Sequence, residues 1–375
     1  MTSIGGAEMV DWNLAVATAT RLVRPGPEVS RDEARAVVAE LRRHAKSSEE
    51  HVRSFTRMGT EDTHDTPVLV VDRAGWVRAN VAGFREILKP LLDKMQDKRG
   101  SSPGGAVLGA VGGKVTGVEL GMLLSFLASR VLGQYETFAP PTRDLPAGAN
   151  GGGRLLLVAP NIVHVERELD VDPHDFRLWV CLHEETHRTQ FTAVPWLRDH
   201  LEGEIQSFLG ETEVDPMTVL ERVREAAQSL AGGRSEAEGD EDEGGRSLVE
   251  LVQTPAQREI LARLTAVMSL LEGHADFVMD GVGPDVVPSV GEIREKFQQR
   301  RARGASRLDQ ALRKLLGLDA KLRQYRDGER FVRAVVDQVG MDGFNRVWTS
   351  PNTLPTKAEI AKPADWVARV HRKGD

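Results

Sequence analysis

His183-Glu184-Glu185-Thr186-His187 is the stretch on which the reading of this chain turns. An α-helix makes one turn in about 3.6 residues, so His183 and His187 leave it on one face and can grip one metal ion. Glu184, next to the first histidine, is then placed to take a proton from a water at that metal. The flanking residues supply the helix: Asp172 suits an N-cap, Pro173 the first helical position, and Asp175 the positive end of the dipole. Phe176, Trp179, Val180, His183, His187, Gln190 and Phe191 recur at three- and four-residue steps, which sets both histidines on the inward stripe. Two inward imidazoles could instead be core groups satisfied by hydrogen bonds. A glutamate bracketed between them on a capped helix favours metal.

Catalytic zinc usually takes three protein ligands, so one more must come from elsewhere in the fold. A second helical pattern starts at Thr254-Pro255-x-Gln257, a capping box with proline in the first turn, and continues through Ile260, Leu264, Met268, Leu271, Ala275 and Met279. Glu272 and Asp276 lie four apart on it and project together, so one can bind the metal while the other orients a ligand histidine from behind. His274 is the rival ligand, because it also borders the apolar stripe and the helical period does not separate the two. The bland alternative is a solvated glutamate and aspartate on a helix flank.

His183-Glu-Glu-Thr-His-Arg-Thr-Gln-Phe191 with Pro195-Trp196-Leu197, and Leu271-Glu-Gly-His-Ala-Asp276 with Val278-Met-Asp280, carry a family resemblance. So do Val71-Asp-Arg73 with Gly75-Trp76 and Ala79-Asn80, and Leu315-Leu-Gly-Leu318 with Arg323-Gln-Tyr325. Across most of the chain these resemble the zincin-like metallopeptidase type 2 family. The resemblance implies a mostly α (α+β) zincin-like fold with a small β-sheet beside the metal-binding helix. It also implies a hydrolase with zinc on His183 and His187 and with Glu184 as general base. The Glu-x-x-x-Asp pair resembles the third-ligand helix of the gluzincins, which favours Glu272. The type 2 family is typical of actinobacteria and related bacteria, includes members described as associated with deazaflavin-cofactor biosynthesis, and has no established substrate. The implied partner is therefore no more specific than a peptide or amide substrate. Gluzincins often stabilise the oxyanion with a tyrosine or histidine, which makes Tyr325 or Arg323 a candidate, with a plain structural role as the alternative.

Composition bounds the rest. At 375 residues, 40% hydrophobic and 28% charged, the chain is ordinary for a soluble globular protein. One zincin-like domain over residues 1–375 is expected, because two helices that share an ion must belong to one folded unit. A net charge of −7 argues against general nucleic-acid binding, and the basic residues from Arg294 to Arg333 alternate like a solvated helix face. The single cysteine, Cys181, excludes an intramolecular disulfide and reads as a small buried residue rather than a nucleophile. With no signal-peptide pattern, a cytoplasmic protein is expected. Residues 104–133 are apolar and glycine-rich, but Lys114, Glu119 and Arg130 interrupt them too often for a membrane span, so they read as a buried helix. Gly112-Gly113-Lys114 lacks the earlier glycine and the following Ser or Thr of a phosphate loop. Oligomeric state stays open.

Helical period covers much of the remainder. Met9 to Val23 and Ser30 to Met58 read as helices separated by Pro25-Gly26-Pro27, Trp76 to Met95 as another, and the segment from Leu308 to Val339 as more of the same. Arg154 through Val163 carries the strand signal, and is expected either to border the metal cleft and pair with an extended substrate or to be a plain buried strand. Residues 232–245, acidic and glycine-rich without a large apolar group, read as a flexible loop, with metal scavenging or cleft occlusion as the alternative. A non-enzymatic, metal-stabilised scaffold is the competing class. Glu184 favours catalysis, because a purely structural zinc needs no base.

Overall fold

The computed structural model describes residues 10–59, 66–99, 105–138, 153–211, 254–303 and 318–371, and the acidic segment 232–245 lies outside them, as do the side chains of Arg323 and Tyr325. Helix α1 (Trp12–Leu22) is capped by Asp11, which accepts from the Leu14 amide at 2.9 Å, and α2 (Arg31–Thr56) by Ser30, which accepts from Glu33 at 3.1 Å. Asp72 accepts from the Gly75 amide in the first turn of α3 (Arg73–Arg99). The apolar segment after it forms α4 (Gly105–Ala128), but not the buried helix expected, since Val115 is 52% and Met122 47% exposed. Its glycines serve one close approach. A Cβ on Gly117 would stand 2.6 Å from the Asp11 carbonyl oxygen, and one on Gly121 2.7 Å from that of Ala15, so α1 presses directly on this face.

Three short strands form the sheet among the described residues: β1 (Val68–Val71), β2 (Gly133–Glu136) and β3 (Arg154–Val158), in the order β1-β3-β2. β1 runs parallel to β3, while β2 pairs antiparallel with Gly133 opposite Leu157 and Glu136 opposite Arg154. Leu155 to Val158 are fully buried. The strand stops at Val158 rather than Val163, because Pro160 has no N–H for a ladder and suits the first turn of α5 (Ala159–Leu169). A second correction follows from the order of strands. β3 has neighbours on both sides and offers no edge to a substrate; the edge that lines the metal cleft belongs to β2.

Helix α6 (Pro173–Ala193) carries the histidine motif, begins at the Asp172 cap (2.9 Å to the Asp175 amide), and packs on α2, α5, β2 and β3. Asp175 does more than face the dipole: it is buried and accepts from the Ser289 amide and hydroxyl at 2.8 and 2.7 Å. After α7 (Pro195–Gly210) comes α8 (Pro255–Gly281), opened by the expected Thr254–Gln257 capping box. It is followed by α9 (Val290–Arg303), α10 (Leu318–Phe344), 3-10 turns at Asn345–Trp348 and Pro351–Thr353, α11 (Lys357–Ala361) and α12 (Pro363–His371). Leu41, Ile162, Phe176 and Leu182 build one core around α6, and Leu197, Leu270, Phe331 and Trp366 another around α8 and α10. Each fully buried side chain of this size contributes roughly 1.5–3 kcal/mol. α8 and α10 meet glycine on glycine, where a Cβ on either Gly273 or Gly328 would overlap the backbone of the other helix.

Candidate metal centre

The two core-forming helices α6 and α8 pack together and bring three donors to one point. His183 and His187 set their Nε2 atoms 3.2 Å apart. Glu272 on α8 closes the group, with Oε2 3.8 Å from His183 Nε2 and Oε1 3.7 Å from His187 Nε2. Zinc bonds of about 2.0–2.1 Å in a tetrahedron put donors about 3.4 Å apart, so these atoms stand at ligand spacing.

The outer ring nitrogens fix which atoms face inward. Gln190 Oε1 can only accept, so His187 Nδ1 donates to it at 3.0 Å and its Nε2 lone pair is left for the cluster. The amide nitrogen of the same fully buried Gln190 donates to the Leu271 carbonyl at 2.9 Å and to His274 Nδ1 at 3.0 Å. One glutamine thus orients a histidine and ties α6 to α8. On the other histidine, Asp276 Oδ1 lies 3.6 Å from His183 Nδ1, at ion-pair distance.

His274 is placed elsewhere. It is fully buried, packed on Phe344 and Trp348 with ring centroids 5.3 and 5.4 Å away, and its pKa is pushed down to about 3 by burial and then by His187. It accepts from Gln190 and belongs to the support of the site rather than to the donor group.

The adjacent glutamates of the motif have separate duties. Glu184, 6% exposed, lines the cleft, and burial followed by the charge of Glu272 raises its pKa well above the usual carboxylate range. Glu185 points to the opposite side and accepts from Arg188 Nε at 2.9 Å, while Arg188 also pairs with Glu49 at 2.9 Å. At β2, a Cβ on Gly133 would lie 2.5 Å from Glu184 Cγ, so glycine lets this strand rest against the Glu184 side chain. Cys181 is buried facing α2, and burial pushes its thiol up, which removes it from any nucleophilic role.

A cleft of about 620 Å³ opens over this group. One wall is polar: Gln134 accepts from Trp76 Nε1 at 2.7 Å and donates to Asn80 Oδ1 at 3.1 Å. The opposite wall is apolar, with Phe191, Leu201, Leu264, Met268 and Leu271. Tyr135 on β2 stacks on Phe191 at 5.4 Å, and burial pushes its phenol up to about 12. Gln190 and Gly133 were absent from the sequence-derived site. Gln190 lay on the inward stripe and its polarity there was the available signal, whereas nothing local marks Gly133.

A histidine pair on a buried helix, an acidic group from a second helix and a strand edge beside the cleft define the zincin class. The chain belongs to the zincin-like metallopeptidase family, whose family model matches residues 10–367. Among solved structures it is similar to one from Chloroflexus aurantiacus, described as a "putative hydrolase with a novel fold". That match has 31% identity and a TM-score of 0.67, and covers 97% of this chain and 100% of that one. No curated protein matches the chain. Family and neighbour together make this a metal-dependent hydrolase fold. Among the described residues no helix is long and apolar enough to cross a membrane.

Proposed function

We propose that this chain is a zinc-dependent hydrolase of peptide or related amide bonds, with zinc on His183, His187 and Glu272 and with Glu184 as general base. The observation that carries the reading is the position of Glu184 in the cleft wall beside three donors at ligand spacing. Zinc bound there would supply Lewis-acid polarisation and lower the pKa of a water. With zinc held there, Glu184, in the cleft wall against Gly133, would be the residue to accept a proton and return it to the leaving amine. Gln190 holds the His187 imidazole in the tautomer that presents Nε2, and Asp276 stands beside the His183 ring. The outer edge of β2, unpaired among the described residues, is available to an extended substrate backbone, and the apolar wall to a side chain beside the reacting bond. The same reading treats residues 1–375 as one zincin-like domain, because the donors come from well-separated parts of the chain.

The test is Glu184→Gln, which keeps the size and removes the base. It should retain zinc and melt like the parent while losing on the order of a hundredfold or more in turnover on a panel of peptides and small amides read by mass spectrometry. Activity unchanged in this variant would sink the mechanism.

A further inference from the structure

Away from the cleft, α2 and the first turn of α6 bring together a second histidine–glutamate group. Glu40 and His44 lie one turn apart on α2, and His174 stands in the first turn of α6. Glu40 Oε1 is 3.0 Å from His174 Nδ1 and 3.4 Å from His44 Nε2, and donor atoms of all three residues lie within 4.8 Å of one another. The 3.0 and 3.4 Å spacings from Glu40 are close to those set by bonds of about 2.0–2.1 Å in a tetrahedron. His44 is only 6% exposed, and its Nε2, turned toward Glu40, has no hydrogen-bond partner among the described residues. A sealed ring nitrogen held only by this loose pairing with Glu40 keeps its capacity to bind a metal.

Glu40 is held from behind. Its Oε2 accepts from Arg177, and Arg177 is gripped in turn by both oxygens of the buried Glu166, at 2.9 and 2.5 Å. This leaves Glu40 Oε1 turned to the two histidines. Two imidazoles and a carboxylate suit zinc and its transition-metal neighbours rather than calcium or magnesium. His174, 64% exposed, gives the ion a way in from solvent.

We propose that Glu40, His44 and His174 form a second zinc-class site, separate from the first, that clamps α2 to the start of the motif-bearing helix. Its role is structural, since it fastens the first turn of the helix that carries His183.

The experiment uses metal-stripped protein titrated with cobalt(II) by visible absorption and with zinc by elemental analysis. The parent should take up two equivalents, the His183→Ala/His187→Ala variant one, and that variant with His174→Ala added none. Zinc should raise the melting temperature of the double variant by a few degrees, and the rise should vanish with His174→Ala, whose exposed side chain can be removed without disturbing the core. The proposal is overturned if the double variant takes up no metal, or if its uptake survives both His174→Ala and His44→Gln. A parent that binds a single equivalent, lost with His174→Ala and kept in the double variant, would support this site and refute the first centre.

Discussion

The His183–His187–Glu272 group and the Glu40–His44–His174 group share a donor set, an i,i+4 pair on one helix and a third donor from a neighbour. Their surroundings diverge. The first opens on a cleft of about 620 Å³, has Glu184 in the wall, and has Gln190 and Asp276 behind its imidazoles. The second is backed by Arg177 and Glu166, and its open side is the exposed ring of His174. Similar donors can hold similar ions, yet of the two groups the first places a buried glutamate, the proposed base, and a substrate-sized space beside them. Donors govern which ion binds, and the shell around them governs whether anything reacts.

Three substitutions probe that contrast. The largest effect is expected from Arg177→Met, which leaves Glu40 and the buried Glu166 without their shared cation. A loss of about 3–5 kcal/mol is expected in chemical denaturation, with part of it restored by added zinc. A small loss would show that the second group is not organised around Arg177. Next comes Gly133→Ala, whose methyl would intrude on Glu184 while touching no proposed ligand. Zinc content should hold and turnover fall by about a hundredfold, the scale of a misplaced catalytic group. Equal loss of metal and activity would mean that β2 supports the donors too. The smallest change is expected from Gln190→Leu, which removes the acceptor behind His187: zinc affinity at the first centre should drop about tenfold in competition with a chelator, while the second site is untouched. Loss at both sites would show that the two groups are coupled through α6.

Much of the helical frame was legible because caps and apolar period are local signals. The Asp172, Ser30 and Thr254 caps sit where the sequence places them, and the stripe from Phe176 to Val180 is buried as its spacing implies. The His183–Glu184–His187 geometry was legible for the same reason. The sheet was not. Val68–Val71 and Gly133–Glu136 are four residues each, too short for a two-residue alternation to stand out, and the edge position of β2 depends on pairing across the chain. Helical period could not choose between Glu272 and His274, because their difference comes from what α6 and the Phe344–Trp348 corner present to each side of α8. The second triad went unseen because Glu40, His44 and His174 form no local motif, and their meeting depends on how α2 crosses α6.

Gly273 follows Glu272 directly, and its contact with Gly328 leaves no compressible side chain between α8 and α10. The third donor therefore rides on a backbone-to-backbone bearing with little room to move toward or away from the imidazoles. On the proposed zinc reading, such a mount would sort ions by radius. A cation content with bonds of about 2.0–2.1 Å would find its donors already near their places, whereas calcium, which needs about 2.3–2.6 Å and six to eight oxygens, would have to push the two helices apart.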